Sequence, residues 1–361
     1  MTDTLERPRA VSTAGAIDCD VHPPLPRRHD LMPYLDSYWQ DMFESRTIDV
    51  LELMSAPERV RSALRPDWAG HGAGDDDPLQ RMQRNLLDPL DLSHAILNVV
   101  SGAQALFDPY LAAATCRAIN DWLADRWLDR DPRLRASMLV PFQNVEAAVE
   151  EIERRAADRR FVQVLTLAAG ELPLGRRTYW PIFAAAERHG LPIGIHAGSS
   201  FRHAPSHSGF HSFLIEDNIA QTQGFATQVA SMIAEGVFAN HPGLKVVAIE
   251  SGVTWIPPLM WRMAKDWRGT RIEVPWVKDS PADVIRRHLR VTAQPFDGPD
   301  DPADAAAALS HLLSDEMLLF SSDYPHWHFE GLDVLPPGVP AEMMEKAMRA
   351  NVLATYPRLG G

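Results

Sequence analysis

The chain has 361 residues, 45% of them apolar, 8% aromatic and 23% charged, a globular composition that excludes collagen-like and low-complexity classes. Its 35 Lys and Arg against 48 Asp and Glu leave a net charge of −13, the wrong sign for binding nucleic acid or an anionic membrane surface. Two cysteines, Cys19 and Cys116, exclude a disulfide framework; with no signal-like apolar stretch at the start and no run near ~18 apolar residues, a cytoplasmic setting is expected.

Eight short apolar or β-branched runs read as strands: 16–21 (AIDCDV), 94–100 (HAILNVV), 136–140 (ASMLV), 161–167 (FVQVLTL), 191–196 (LPIGIH), 244–250 (LKVVAIE), 289–293 (LRVTA) and 317–322 (MLLFSS). Between them, 111–128, 144–157, 179–189, 220–238, 302–313 and 341–353 carry helical spacing. Alternating strands and helices imply parallel pairing with right-handed crossovers, and eight such units predict an α/β fold, a (β/α)8 TIM-like barrel. A doubly wound open sheet is the rival, but no GxGxxG or GxxxxGK[ST] phosphate turn occurs.

Residues 23–90 interrupt the alternation with many Pro, Asp and Trp residues. Such a stretch is too long for an ordinary βα loop and is expected to form a helical cap inserted after strand one of a single barrel domain. Asp75-Asp76-Asp77-Pro78 reads as a solvated loop or a helix start. A second long loop, 197–213 (AGSSFRHAPSHSGFHSF), comes after strand five and suits a mouth-facing lid.

Barrel chemistry gathers at the C-terminal ends of strands. Strand one ends in Asp18-Cys19-Asp20-Val21-His22, where the two-residue period puts Asp18, Asp20 and His22 on one face. Strand five ends at His196, strand six at Glu250 and strand eight at Asp323. Imidazole nitrogens mixed with carboxylate oxygens form a ligand set for Zn²⁺, Mn²⁺ or Fe²⁺, so Asp20, His22, His196, Glu250 and Asp323 are the candidate ligands of one divalent ion. Asn98, Arg202, His326 and His328 are candidate substrate contacts: Asn98 lies near the end of strand two, Arg202 can clamp a carboxylate bidentately, and the two histidines come after strand eight in YPHWH. His203, His207 and His211 crowd the strand-five loop. His241 reads as a structural cap at the bottom of the barrel, and Trp255, Trp261 and Trp267 as packing or a subunit interface.

The segments IDCDVHP (17–23), LPIGIHAG (191–198), FANHPGLKVVAIESG (238–252), VTAQPF (291–296) and FSSDYPH (320–326) together resemble the amidohydrolase-2, or aminocarboxymuconate-semialdehyde decarboxylase-like, branch of the amidohydrolase superfamily. The resemblance runs from residue 17 to the C-terminus. It implies a (β/α)8 barrel with one divalent metal, held by a strand-one pair that is often His-x-His, a strand-five His and a strand-eight Asp. His22, His196 and Asp323 match those positions. Asp20 stands where the first His is often found, and an acid there favours a harder ion, Mn²⁺ or Fe²⁺, over zinc. The resemblance also implies a small-molecule substrate and a homo-oligomer, dimer or larger.

Decarboxylating members of that branch tend to end strand six in a His, where this chain has Glu250. A carboxylate there is a proton acceptor or a further ligand, whereas imidazole is the better proton donor near neutrality. The leading expectation is therefore a metal-dependent hydrolase in which a metal-activated water attacks a small, carbonyl-containing aromatic or cyclic substrate. Asp323, Glu250 and His196 are its catalytic residues, with Asp323 as proton shuttle. The alternative is a metal-dependent, non-oxidative decarboxylase of an aromatic or enoic acid, recognised by CO2 release without incorporation of water. A barrel that binds a ligand without turnover is the third reading, recognised by the absence of a stoichiometric ion.

Overall fold

All eight predicted strands form, as β1 (Ile17–Val21), β2 (His94–Leu97), β3 (Leu134–Leu139), β4 (Phe161–Ala169), β5 (Ile193–Ser199), β6 (Val246–Ile249), β7 (Leu289–Thr292) and β8 (Leu318–Leu319). A computed structural model describes residues 11–53, 77–200, 203–204, 206–327 and 329–360. The strands pair in parallel, each with its successor in sequence. The ring closes between β1 and the chain after β8: Cys19 N donates to Phe320 O at 3.0 Å, Asp323 N to Asp20 O at 3.1 Å and His22 N to Tyr324 O at 2.8 Å. This is the (β/α)8 barrel. Its strands are buried along almost their whole length because both faces are covered, one by the barrel interior and one by helices.

The outer helices are α1 (Pro109–Leu123), α2 (Val145–Arg155), α3 (Trp180–Arg188), α4 (Leu214–Glu235), α5 (Ile256–Thr270), α6 (Pro281–His288) and α7 (Pro302–Ser310). Two of these helices start by the same local rule. Asp108 and Asp301 place a carboxylate on the first free amides of α1 and α7, with Pro at the first helical position, an arrangement worth about 1 kcal/mol per cap. Asp77-Pro78 opens the short helix Pro78–Met82 in the same way. Within the predicted cap, Arg28–Leu31 and Ser37–Ser45 are also helical; residues 54–76 lie outside the described residues. Among the described residues no helix is long and apolar enough to cross a membrane.

At the N-terminal end of β2, Arg135 donates from Nη2 to His94 Nε2 at 2.9 Å, so the imidazole must accept there and stay neutral. Burial and the Arg135 and Arg349 charges lower its pKa to about 4. The unfolded chain takes up this proton near the ordinary value of about 6.5, so the neutral ring stabilises the fold fully above pH 6.5 and progressively less as pH falls toward 4. For a half-buried ring the loss is at most on the order of 2–3 kcal/mol. Chemical denaturation of the metal-free protein between pH 7 and 4 should show this loss, and His94→Gln should flatten it. Equal slopes for the two proteins would show that His94 does not titrate in this way.

Candidate metal centre

Six side chains from four strand ends meet at the open end of the barrel. Asp20 belongs to β1 and His22 comes directly after it. His196 sits in β5, Glu250 comes just after β6, and Asp323 and His326 come after β8. His22 Nε2 is 3.1 Å from Asp20 Oδ1, 3.1 Å from Glu250 Oε1 and 3.5 Å from Asp323 Oδ1. His196 Nε2 is 3.4 Å from Glu250 Oε1 and 3.7 Å from Asp20 Oδ1. Ligand atoms of Asp20, His22, His196 and Glu250 lie within 4.8 Å of one another, as do those of His22, Glu250, Asp323 and His326.

These nitrogens face carboxylates without hydrogen-bonding to them. Among the described residues, His22 Nε2, His196 Nε2 and Asp20 Oδ2 are buried and have no hydrogen-bond partner, a state that costs several kcal/mol per group unless another species satisfies it. The opposite ring nitrogens are already engaged. His22 Nδ1–H donates to Asn98 O at 3.0 Å and His196 Nδ1–H to Ala197 O at 2.7 Å. Such second contacts fix the tautomer that turns an Nε2 lone pair inward. Edges of about 3–3.5 Å are what ligand atoms have when each lies about 2.1 Å from a common ion. The donor set fits one divalent metal ion.

Electrostatics agree. Burial disfavours charge on Asp20, yet the His22 and His196 imidazoles outweigh it and bring its pKa to about 2. Burial opposes charge on Glu250 as well, and His196, His22 and His326 still hold it well below the usual carboxylate range. Burial would depress His22, but Asp20 and Glu250 raise it well above the ordinary histidine value. Three acids this close need positive charge. A cation bound there supplies it and competes with protons for the same ring nitrogens.

Glu250 and Asp323 have φ of 56° and 60°, left-handed backbone that non-glycine residues adopt at a cost of order 1 kcal/mol and that concentrates at functional positions. Glu250 N is held by Thr292 Oγ1 at 3.1 Å. Two residues on, Gly252 has φ 66°, and a Cβ there would lie 2.4 Å from the Asp297 carboxylate, which accepts from Val253 N and Thr254 N. That is why the turn after β6 reads Glu-Ser-Gly.

Of the predicted site residues, Asp20, His22, His196, Glu250, Asp323 and His326 come together. Asp323 reaches the four-donor set through His22, Glu250 and His326. Arg202 and His328 lie outside the described residues. Asn98 corrects an expectation: it is fully buried and its amide is spent on protein, donating to Asp20 Oδ1 at 2.8 Å and Cys19 O at 3.3 Å and accepting from Ser137 and Gln163. An amide has four hydrogen-bonding places, and none is left for a substrate. His203 and His207 are exposed, and His211 faces Asp217 at 3.5 Å. His241 is buried against Glu187 at 3.1 Å, a packing position.

The strand-six reading misses a contact that geometry supplies. His326 Nδ1 lies 2.7 Å from Asp323 Oδ1 and 3.0 Å from Glu250 Oε1, and its ring stacks on His22 with centroids 4.0 Å apart. An imidazole therefore stands beside the strand-six carboxylate after all, delivered by the loop after β8. Burial and the His22 charge would lower its pKa, but Asp323 and Glu250 raise it to about 9.

A sequence model of the amidohydrolase family matches residues 17–358. The chain belongs to the amidohydrolase family. A gamma-resorcylate decarboxylase of Rhodococcus jostii (strain RHA1) is 26% identical over 288 residues, which is 76% of this chain and 84% of that relative. The crystal structure of an amidohydrolase from Mycobacterium avium subsp. paratuberculosis K-10 is similar with a TM-score of 0.69 at 23% identity, covering 96% of this chain and 99% of that one. A dihydroxybenzoic acid decarboxylase from Polaromonas sp. JS666, solved with bound manganese and the inhibitor 2-nitroresorcinol, matches with a TM-score of 0.65 at 19% identity, covering 96% and 98%. These structural likenesses establish the barrel. The activity that the Rhodococcus protein is named for is decarboxylation, which favours the second sequence-based reading over hydrolysis.

Proposed function

We propose that this amidohydrolase-family protein is a metal-dependent, non-oxidative decarboxylase of a hydroxylated aromatic acid, with Asp20, His22, His196 and Glu250 holding one Mn²⁺ ion. The observation that carries the reading is the His326–Asp323 pair, a proton-bearing imidazole hydrogen-bonded to a carboxylate at the edge of the donor set. Exchanging CO2 for hydrogen on a ring requires a proton at the ring carbon, and water is not consumed. A divalent ion held by Asp20, His22, His196 and Glu250 would act as a Lewis acid, withdrawing charge from the substrate as the carbon–carbon bond stretches.

The chain's own groups supply the rest. Nδ1 of His326 and Oδ1 of Asp323 hold one proton between them, and Asp323 hands it to the ring carbon as CO2 departs. The bond electrons pass to that carbon, and solvent reprotonates the pair. Glu250 keeps His326 and His22 in register. Beside β5, a cleft lined by Phe142, Leu167, Leu174 and Tyr179, with Gln143 and Ser200 at its polar side, offers an apolar wall to an aromatic ring. Leu167 of this wall pairs in register with His196.

The Mn²⁺-loaded protein, given 2,6-dihydroxybenzoate and other ortho-hydroxybenzoates in D2O, should release CO2 and leave one deuterium at the vacated ring carbon. Cleavage of an ester or amide panel with ¹⁸O incorporated from water, and no CO2 from any hydroxybenzoate, would instead establish the hydrolase.

A further inference from the structure

Beneath Asp20 a file of polar side chains descends through the barrel interior. Tyr356 OH donates to Gln163 Oε1 at 3.1 Å. Gln163 Nε2 donates to Ser137 Oγ at 2.6 Å and to Asn98 Oδ1 at 3.2 Å. Ser137 Oγ–H donates to Asn98 Oδ1, and Asn98 Nδ2 donates to Asp20 Oδ1 at 2.8 Å. No member is more than 1% exposed.

The direction of every bond is set by its upper end. A carboxylate only accepts, so Asn98 must present its amide nitrogen to Asp20 and its oxygen to Ser137 and Gln163. Those two must then donate, which turns the Gln163 oxygen to Tyr356, whose hydroxyl must donate in turn. All the dipoles align toward one anion, and aligned hydrogen bonds strengthen one another in a low-dielectric interior. Space is reserved for the file: a Cβ on Gly194 of β5 would sit 2.8 Å from Gln163 Oε1. The lower end is fastened too, since Arg358 Nη1 donates to Phe161 O at 2.6 Å, at the start of β4. Barrel interiors are ordinarily filled by branched aliphatic side chains, and a polar file there is costly unless fully paired.

We propose that Tyr356, Gln163, Ser137 and Asn98 are positioning residues for the metal centre, fixing in one orientation the Asp20 carboxylate whose Oδ1 faces His22 Nε2 and His196 Nε2. The C-terminal segment thereby sets the affinity of a site at the opposite end of the barrel. The inference rests on reading Asp20 as a ligand of the divalent ion.

The test is Mn²⁺ titration of the full chain, monitoring free Mn²⁺ by electron paramagnetic resonance, alongside thermal unfolding of the metal-free proteins. Asn98→Leu should weaken binding about 10–100-fold, the usual cost of losing a ligand's direct partner. Tyr356→Phe, which removes one oxygen far from the ion, should weaken it about threefold or more, as should Gln163→Met. In the Asn98→Leu background, Tyr356→Phe should add nothing, because the link is already cut. Binding within about twofold of the wild type in both Tyr356→Phe and Gln163→Met, with only the metal-free melting temperature lowered, would overturn the inference and leave the file as core packing. A wild-type chain that takes up no Mn²⁺ would instead bring down the metal reading itself.

Discussion

His196→Ala is expected to abolish decarboxylation and to lower Mn²⁺ affinity by at least about 100-fold. The substitution removes one of two inward-facing imidazole nitrogens and leaves Asp20 and Glu250 with His22 as the only neutral donor in the four-membered set. Two carboxylates and one imidazole can still attract a cation, so some binding at high Mn²⁺ is expected, with the ion displaced from the β5 side. The barrel should persist, because β5 is held by main-chain pairing to β4 and β6 from Ile193 onward and the lost ring lies at the rim. Circular dichroism unchanged, with both Mn²⁺ uptake and CO2 release lost, is the predicted pattern. A variant that keeps near-normal kcat would remove His196 from the centre.

The barrel was legible because each strand is a short apolar run between stretches of helical spacing. Boundaries shifted where the site begins. The run 317–322 keeps only Leu318–Leu319 as strand, and a few residues on Asp323 adopts a left-handed backbone that ends regular pairing. Helix α6 was not foreseen, since PADVIRRH is only eight residues long and charged on much of its surface.

The candidate ligands were legible for one reason: the fold sends strand ends to a common rim, so polar residues at those ends must be neighbours. Residues in the loop beyond a strand are harder to place. His326 lies three residues past Asp323, and only the turn made by 323–326, with His326 N donating to Asp323 O at 2.9 Å, swings its ring back over His22. Reading hydrolysis from Glu250 overlooked the same kind of contact. It assumed that a strand supplies chemistry only at its own end, whereas the imidazole beside Glu250 comes from two strands away. Asn98 misled in the opposite sense. The residue after β2 continues the ladder, with Asn98 N donating to Val21 O at 2.8 Å, so its side chain turns into the barrel instead of out to the mouth. Gln163 left a faint trace, one amide in the apolar run FVQVLTL, but nothing in the sequence pairs it with a tyrosine 193 positions later.

Asp323→Asn should lower kcat at least about 1,000-fold while leaving Mn²⁺ bound, because Asp323 is not among the four donors proposed to hold the ion, and its proposed task is to carry a proton, a step worth about 10²–10⁴ in rate. Asparagine keeps the shape and can still accept from His326, but it cannot release a proton to carbon. His326→Gln should cost less, about 100-fold, since Asp323 can still collect a proton from solvent. The combination is the decisive measurement. If the two residues act as one proton-holding unit, the double variant should be no slower than Asp323→Asn alone, the non-additivity expected of groups that share a task. Losses that multiply would mean separate roles, with His326 contacting substrate and Asp323 acting elsewhere. Near-wild-type turnover in Asp323→Asn, with Mn²⁺ still bound, would move the proton donor to another residue, and Glu250 would be the first to examine because it holds the same imidazole at 3.0 Å.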